Sequence, residues 1–410
     1  MSDRAGTLLL YAPVPLHRKV GVLHLEDQAC NGLRLWAEHF EKLILMIPEA
    51  SGPLPPAWVP LERVGPSLER IELLIVPEAW RPDRFLRALP GQKPRIREAI
   101  ARADYVGFAI GGLWGDWGSY AAWQAHKMKK PFYIWTDRVE SAVVRRTLGS
   151  LPLRRRVRAR VEVPLMAALE RALIRRSTLG LFHGRETYDT YAPYASNPQL
   201  VHDIHLKRAD HIPPEMLAAK IAGAAEGPLK IVYAGRATAM KGAMDWLAVL
   251  EGLAARGVDF TATWLGDGPD FAAMQARVAE GPLQGRVALP GFVSDRPTLL
   301  TALREADLML FCHKTPESPR ILIEALASGC PIVGYDSPFP ADLIDPHGGG
   351  KLVTLDDVAG LTEAVTALAQ DRTALSDLIA KAAQDGAIFD DEAVFAHRSE
   401  LIRENLPGPR

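Results

Sequence analysis

Cysteine, long apolar runs and net charge are all scarce in this 410-residue chain. Only Cys30, Cys312 and Cys330 occur, odd in number and without the clustered spacing of a zinc site, so they read as buried thiols. No run approaches the roughly 18 apolar residues of a membrane-spanning helix. Asp3, Arg4, Pro13 and Pro15 spoil the N-terminus as a secretory signal, which gives a cytoplasmic chain as the expectation. No segment is low-complexity, and no repeat recurs at a period of about 20 to 50 residues. Nucleic acid is excluded as a partner because no aromatic-rich platform or recognised binding module accompanies the basic residues.

What is present is the composition of a soluble globular protein, with 48% hydrophobic and 24% charged residues. The length exceeds what one core usually supports, so two domains are expected. The net charge of −1 hides an asymmetry. Residues 1–210 hold 31 Lys+Arg against 22 Asp+Glu, or +9, and residues 211–410 hold 17 against 27, or −10. Ten arginines fall within 145–176 against two acids, Glu162 and Glu170, interleaved with Leu, Val, Ala, Met and Ile. Such a stretch reads either as a solvated helical face or as a surface for an anionic membrane.

Short apolar runs at 7–11, 42–47, 71–76, 105–110, 132–135 and 179–182 read as strands buried on both faces, with helical patterns at 32–41 and 161–174. The small, Gly-bearing segment 222–228 suits a linker. Alternation then restarts, with strands at 230–233, 260–265, 287–289, 308–312 and 331–334. Helices fall at 241–255, 270–279, 299–305, 321–328, 361–370 and 374–383, and a final one at 391–405. Two doubly wound parallel sheets follow, in an N-terminal domain 1–221, a C-terminal domain 228–388 and a terminal helix and tail 389–410.

Three strings can carry chemistry. In YAGRATAMKG, Gly235 and Arg236 close a strand, and Lys241 and Gly242 open a helix. Open α/β sheets bind anions at that position, where Arg and Lys can pair with two phosphates; surface cations beside a cap glycine are the alternative. Gly266-Asp267-Gly268-Pro269 makes a tight turn after a strand, either an ordinary turn or a place where backbone approaches a ligand. It is no dinucleotide fingerprint, since Phe271 stands where the third glycine belongs. In HKTPESPRILIEALASG, Ser318 and Pro319 suit an N-cap and first helical position, Glu317 precedes the helix and Glu324 lies within its first turns. Carboxylates there can stabilise the helix or accept hydrogen bonds from sugar hydroxyls.

Together, in this order, the strings resemble the C-terminal domain of the retaining GT-B nucleotide-sugar glycosyltransferases with paired glutamates, the family 4 type, over about 228–405. The resemblance implies a GT-B fold: two Rossmann-like domains with a cleft between them and a last helix returning to the N-terminal domain. Arg236 and Lys241 match the family's diphosphate clamp, and Glu324 its usual ligand of the ribose hydroxyls. Gly235, Gly266, Gly268, Phe292, Val293, His313, Ser318 and Arg320 complete the donor side. The family normally has seven residues between its glutamates, whereas six separate Glu317 from Glu324. Either a shorter loop still brings Glu317 to the sugar, or that contact is lost.

The N-terminal half resembles the family more loosely. The glycine pair expected near the first strand is absent, and PLHRKVGVLHLEDQACNGL stands there as a polar surface loop or a cleft-facing one, with His17, Arg18, Lys19, His24, Glu26 and Asp27. Asp137 occupies the place of a family histidine near the acceptor, where it orients the acceptor or caps a helix.

The implied reaction moves a sugar from a nucleotide-sugar, UDP-linked or GDP-linked, to a lipid or lipid-linked acceptor at the cytoplasmic face of the membrane. Arg236, Lys241, Glu317 and Asp137 would be the reacting-centre residues, the anionic surface would meet 145–176, and neither cofactor nor metal is implied. Two alternatives share the fold: a sugar-nucleotide epimerase or phosphorylase, and a non-catalytic nucleotide-binding scaffold.

Overall fold

The computed structural model describes residues 5–56, 58–147, 153–204, 206–315 and 318–408, and the chain divides into two units, Met1–His205 with Glu392–Arg410, and Leu206–Asp391. The first unit runs through β1 (Ala5–Tyr11), β2 (Leu16–Lys19), β3 (Val22–Glu26), α1 (Asp27–His39), β4 (Phe40–Ala50), β5 (Trp58–Pro60) and β6 (Ile71–Pro77). It continues with α2 (Pro82–Arg102), β7 (Tyr105–Ala109), α3 (Trp117–Lys127), β8 (Tyr133–Thr136), α4 (Glu140–Thr147), α5 (Leu153–Ile174), β9 (Leu179–His183), α6 (Gly184–Tyr191) and β10 (Pro198–Val201).

Its main sheet is parallel, in the order β6-β4-β1-β7-β8-β9-β10. Strand periodicity explains the two cores. Leu9 and Tyr11 point to one face, with Ile44, Met46 and Phe108, under Phe85, Trp117 and Leu173 from helices α2, α3 and α5. Leu8 and Leu10 point to the other, with Leu43 and Leu45, against Leu33 and Trp36 of α1.

The second unit contains α7 (Pro214–Gly223), β11 (Leu229–Ala234), α8 (Ala243–Ala255), β12 (Phe260–Leu265), α9 (Phe271–Ala279), β13 (Val287–Gly291), α10 (Arg296–Glu305) and β14 (Leu308–Phe311). Then come α11 (Arg320–Ala327), β15 (Ile332–Tyr335), α12 (Pro338–Ile344), β16 (Gly350–Val353), α13 (Val358–Gln370) and α14 (Arg372–Gly386), after which the last helix, α15 (Asp391–Asn405), returns to the first unit. All six strands are parallel in the order β13-β12-β11-β14-β15-β16, so chain order reverses between β11 and β14. That reversal is where doubly wound sheets bind ligands, beyond the carboxyl ends of the strands.

Two expectations from the sequence are corrected. PLHRKVGVLHLEDQACNGL is no loop: β2 and β3 form an antiparallel hairpin turning at Val20 and Gly21, with φ of 49° and 80°, and the chain runs straight into α1. Hairpins favour turns with two positive-φ residues, but valine is an unusual occupant, so the string carried no Asn-Gly-like mark. Within it Arg18 pairs with Glu49 at 2.8 Å, Asp27 with Arg63 at 3.1 Å, and His24 Nδ1 lies 3.1 Å from the Val22 carbonyl. Residues 222–228 are likewise no free linker. Arg372 donates to the carbonyls of Ala224 and Gly227, and the helix α7 that runs into the segment is held by Lys220 on the Leu303 and Ser328 carbonyls and by Ser376 Oγ on Ile221, which fastens it within the second unit. The units divide instead at His205/Leu206 and Asp391/Glu392.

Helix α15 packs its Phe395 and Ile402 into the core that holds Trp36. Arg398 fixes it there. This residue is 6% exposed, its guanidinium lies 4.1 Å from the Trp135 ring centre and 4.9 Å from those of Trp36 and Phe395, and Nη1 reaches Asp203 at 3.1 Å. Removing one partner of such a pair leaves a charge stranded away from water, so Arg398→Ala should destabilise the first unit by about 3 to 5 kcal/mol. Urea unfolding followed by tryptophan fluorescence measures it. A loss below about 1 kcal/mol, the range of exposed pairs, would contradict this account.

Candidate functional site

Three loops at the carboxyl edge of the second sheet are stitched together by their backbones. Gly235 N donates to Leu265 O at 2.9 Å, Ala237 N to Asp267 O at 3.0 Å, and Asp270 N to Ala237 O at 3.0 Å, so the loop after β11 lies along the loop after β12. A Cβ on Gly266 would stand 1.9 Å from Gly235 O, and one on Gly268 2.4 Å from Ala237 O. These glycines are thus required by loop-on-loop packing, which is what the tight turn serves. The third loop joins through Lys314 N to Met240 O at 2.8 Å. Gly242, at φ 66°, comes so close to it that a Cβ would meet Cys312 O at 2.0 Å.

On this floor, Gly235, Arg236, Lys241, Gly266, Gly268 and His313 come to one edge of one unit. Arg236 is exposed and makes no ion pair among the described residues, whereas Lys241 is half-buried at the end of a 3-10 turn, Ala239–Lys241. Helix α8 starts after Lys241, at Ala243, with Gly242 as its N-cap and no side-chain cap. Its first amide groups and their partial positive charge therefore face the same edge. Strand β11 pairs with β14 over only two register positions, Ile231↔Leu308 and Val232↔Met309. Just beyond them Tyr233 Oη and His313 Nε2 lie 2.7 Å apart. Burial, and secondarily the Lys241 charge, hold the His313 pKa well below the usual imidazole value, so the ring is neutral.

Lys314, which the sequence reading passed over beside His313, is neutralised by Asp245 at 2.7 Å and Asp356 at 3.1 Å. Phe292 is 65% exposed and Val293 half-buried, just after β13. Glu324 lies in α11 with its side chain 11% exposed, and accepts from Arg296 Nη1 at 2.9 Å. Arg296 also meets Asp210 at 3.2 Å; no short-range pattern joins residues so far apart in sequence. Ser318 is not the N-cap expected of it. The helix starts at Arg320, Pro319 is the capping residue and no side chain caps the end. Glu317 lies outside the described residues.

Asp137 and His17 belong to the first unit. Asp137 is exposed just after β8, while His17 is 8% exposed in β2, edge-on to Trp58 at 5.9 Å between ring centres. Among the described residues no group of three His, Cys, Asp or Glu side chains is placed to hold a metal ion. Chemically, the edge at β11 offers an unspent guanidinium, an ammonium and helix amides to an anion of diphosphate size.

Two doubly wound units, with the final helix returned to the first, are the GT-B architecture. The chain superposes on HepE of Anabaena, solved in complex with UDP, with a TM-score of 0.66 and 15% identity over 97% of this chain and 100% of that one. On WaaG, a glycosyltransferase involved in lipopolysaccharide biosynthesis, the TM-score is 0.61 at 15% identity over 97% and 99%. Residues 218–385 match the family model described as Glycosyl transferases group 1, so the second unit carries a domain of that family.

Among curated proteins, the 2-deoxystreptamine glucosyltransferase of Streptomyces kanamyceticus is 29% identical over 52% of this chain and 56% of its own length. The phosphatidyl-myo-inositol mannosyltransferase of Mycolicibacterium smegmatis is 30% identical over 38% of this chain and 40% of its own. The alignments thus span about half or less of these relatives.

The neutral His313 makes stability depend on pH with a definite sign. Below about pH 6.5 the unfolded chain binds a proton that the folded chain refuses, so this contribution is full above that value and is lost as pH falls. His313→Gln should flatten the decline of the unfolding midpoint between pH 7.5 and 5. An undiminished decline in that variant would place the acid sensitivity elsewhere.

Proposed function

We propose that the chain is a retaining hexosyltransferase that moves a sugar from a nucleotide-sugar to a lipid or lipid-linked acceptor, working as a peripheral protein at the cytoplasmic face of the membrane. The observation that carries this reading is the cationic edge at Arg236 and Lys241, built on interlocked loops at the point where the sheet order reverses, inside the group 1 domain. UDP is the favoured nucleotide because HepE was solved with UDP and with UDP-glucose; GDP is the alternative.

In the transfer, negative charge grows on the departing diphosphate, and fixed cations placed beforehand lower the barrier without reorganising. Arg236 and Lys241 take that role. The acceptor hydroxyl attacks from the face the diphosphate leaves, and the leaving phosphate accepts its proton, so retention demands no strong protein base. Glu317 positions the sugar, Glu324 the ribose and Asp137 the acceptor.

The lipid acceptor and the membrane are supported from the first unit. Helix α5 leaves Leu153, Val157, Val161 and Leu165 from 52% to 73% exposed, at steps of four residues and hence on one face, with Arg156, Arg158 and Arg160 among them. The basic stretch narrows to this end, because Arg171 and Arg175 lie over the Tyr194 ring and Arg176 over Trp123, although Arg158 within it pairs with Glu162 at 2.8 Å. A mannosyltransferase named for phosphatidyl-myo-inositol is among the relatives. No helix among the described residues is long and apolar enough to cross a membrane.

A thermal-shift screen with UDP, GDP, ADP and TDP identifies the nucleotide. With the matching UDP-sugar and a lipid acceptor, nucleoside diphosphate should appear only when the acceptor is present; release without it would favour an epimerase or hydrolytic reading. Arg236→Ala and Lys241→Ala should each slow transfer by roughly 10- to 150-fold while leaving the unfolding midpoint in place, as expected for loss of a charge-assisted contact. Near-normal turnover in both would mean the phosphates bind elsewhere.

The purified protein should also sediment with anionic vesicles, less so as salt rises, since each basic residue near such a surface contributes about 1 kcal/mol. Changing Arg156, Arg158 and Arg160 together to Ser should abolish sedimentation. Unchanged sedimentation in that variant would remove α5 from the membrane reading.

A further inference from the structure

We infer that Arg296 is a positioning residue that presets Glu324 for a pair of ribose hydroxyls, an assignment resting on the reading of Glu324 as the ribose ligand. Arg296 is the first residue of α10, and the Asp295 cap before it accepts from Thr298 N at 2.9 Å, which fixes where the guanidinium starts. Nη1 reaches Glu324 Oε1 at 2.9 Å and Nε reaches Asp210 Oδ2 at 3.2 Å. Asp210 is itself held. Its carboxylate accepts from Lys207 N at 3.0 Å, and its carbonyl from Arg304 Nη2, in the last turn of α10, at 2.8 Å. The order of constraint therefore runs from a pinned aspartate through the arginine to the glutamate.

A guanidinium on one carboxylate oxygen does not use up the group. An ionised carboxylate offers about four lone-pair directions, so Oε2 remains open to hydroxyl donors. The pair also removes a cost. A free glutamate side chain has several rotatable bonds whose ordering on binding opposes affinity, and Arg296 has already imposed that order. Glu324 is 11% exposed at its side chain and Arg296 32%, so the pair lies at the edge of the fold rather than sealed inside it. Nucleotide affinity should then depend on Arg296 only through ribose hydroxyls and only while Glu324 is present.

The test is a titration series with UDP and with 2′,3′-dideoxy-UDP on the full chain, comparing Arg296→Ala, Arg296→Lys, Glu324→Ala and the Arg296→Ala/Glu324→Ala double variant. Arg296→Ala should weaken UDP binding up to about tenfold, the scale of one long side chain left unordered. It should leave dideoxy-UDP binding unchanged, add nothing to Glu324→Ala, and be partly rescued in Arg296→Lys. If Glu324→Ala weakens UDP binding and Arg296→Ala does not, the positioning role is wrong and the ribose reading stands. If Glu324→Ala has no effect on UDP, the ribose reading falls first and takes this inference with it. Equal weakening of UDP and dideoxy-UDP by Arg296→Ala would reduce the pair to a general brace between α10 and α11. Should the alanine variant fail to fold, Arg296→Lys decides alone. A selective weakening for UDP supports the role, and unchanged or equal affinities for the two nucleotides refute it.

Discussion

The loop edge of the second sheet depends on backbone approaching backbone with no room for a Cβ. Gly266 against the Gly235 carbonyl, Gly268 against Ala237 and Gly242 against Cys312 turn the loops after β11, β12 and β14 into one rigid surface. The strands beneath supply the stiffness. Tyr233 and Trp264 lie 4.1 Å apart between ring centres and Trp246 packs 5.3 Å from Trp264, all three fully buried. Because the loop is shaped by backbone contacts, Arg236 needs no carboxylate to hold its segment in place, and its charge stays available to a ligand.

Contrast with the other cations clarifies what is special there. Arg277 is bound to Glu251 through both its Nε and Nη2, Lys314 bridges two aspartates, and Arg398 is enclosed by three aromatic rings and an acid. Each of those charges is matched inside the fold, where an unmatched one would be costly. An exposed guanidinium without a partner is cheap to leave in water and expensive to waste at the switch point of a sheet, which is why position and pairing together pick out Arg236.

The sheets were legible because parallel strands buried on both faces are written as short uninterrupted apolar runs, as at Leu8–Leu10 and Leu308–Phe311. The hairpin was not, since β2 and β3 are amphipathic, short and joined by a Val-Gly turn. Residues 222–228 have the composition of a linker, and only the tertiary hydrogen bonds from Arg372 to the Ala224 and Gly227 carbonyls show that they are held. At the site, motif order brought Arg236 and Lys241 to one edge of one unit. The link between Arg296 and Glu324 escaped because they lie 28 positions apart and Arg296 belongs to none of the three strings. Ser318 failed as a cap for a simple reason: Pro319 takes the capping position itself and the helix waits until Arg320.

The return of α15 to the first unit makes the second an insertion in sequence terms, with the chain leaving at His205 and coming back at Glu392. During synthesis the nascent chain therefore lacks the cover that Phe395 gives Trp36 for the whole time that the intervening 206–391 are being made, because Phe395, Leu401 and Ile402 follow them. Domains tend to fold as they emerge, but here the earlier unit finishes after the later one has had its chance. The order of completion is the reverse of the order of translation, and the apolar face beneath α15 is the last part of the first core to be covered.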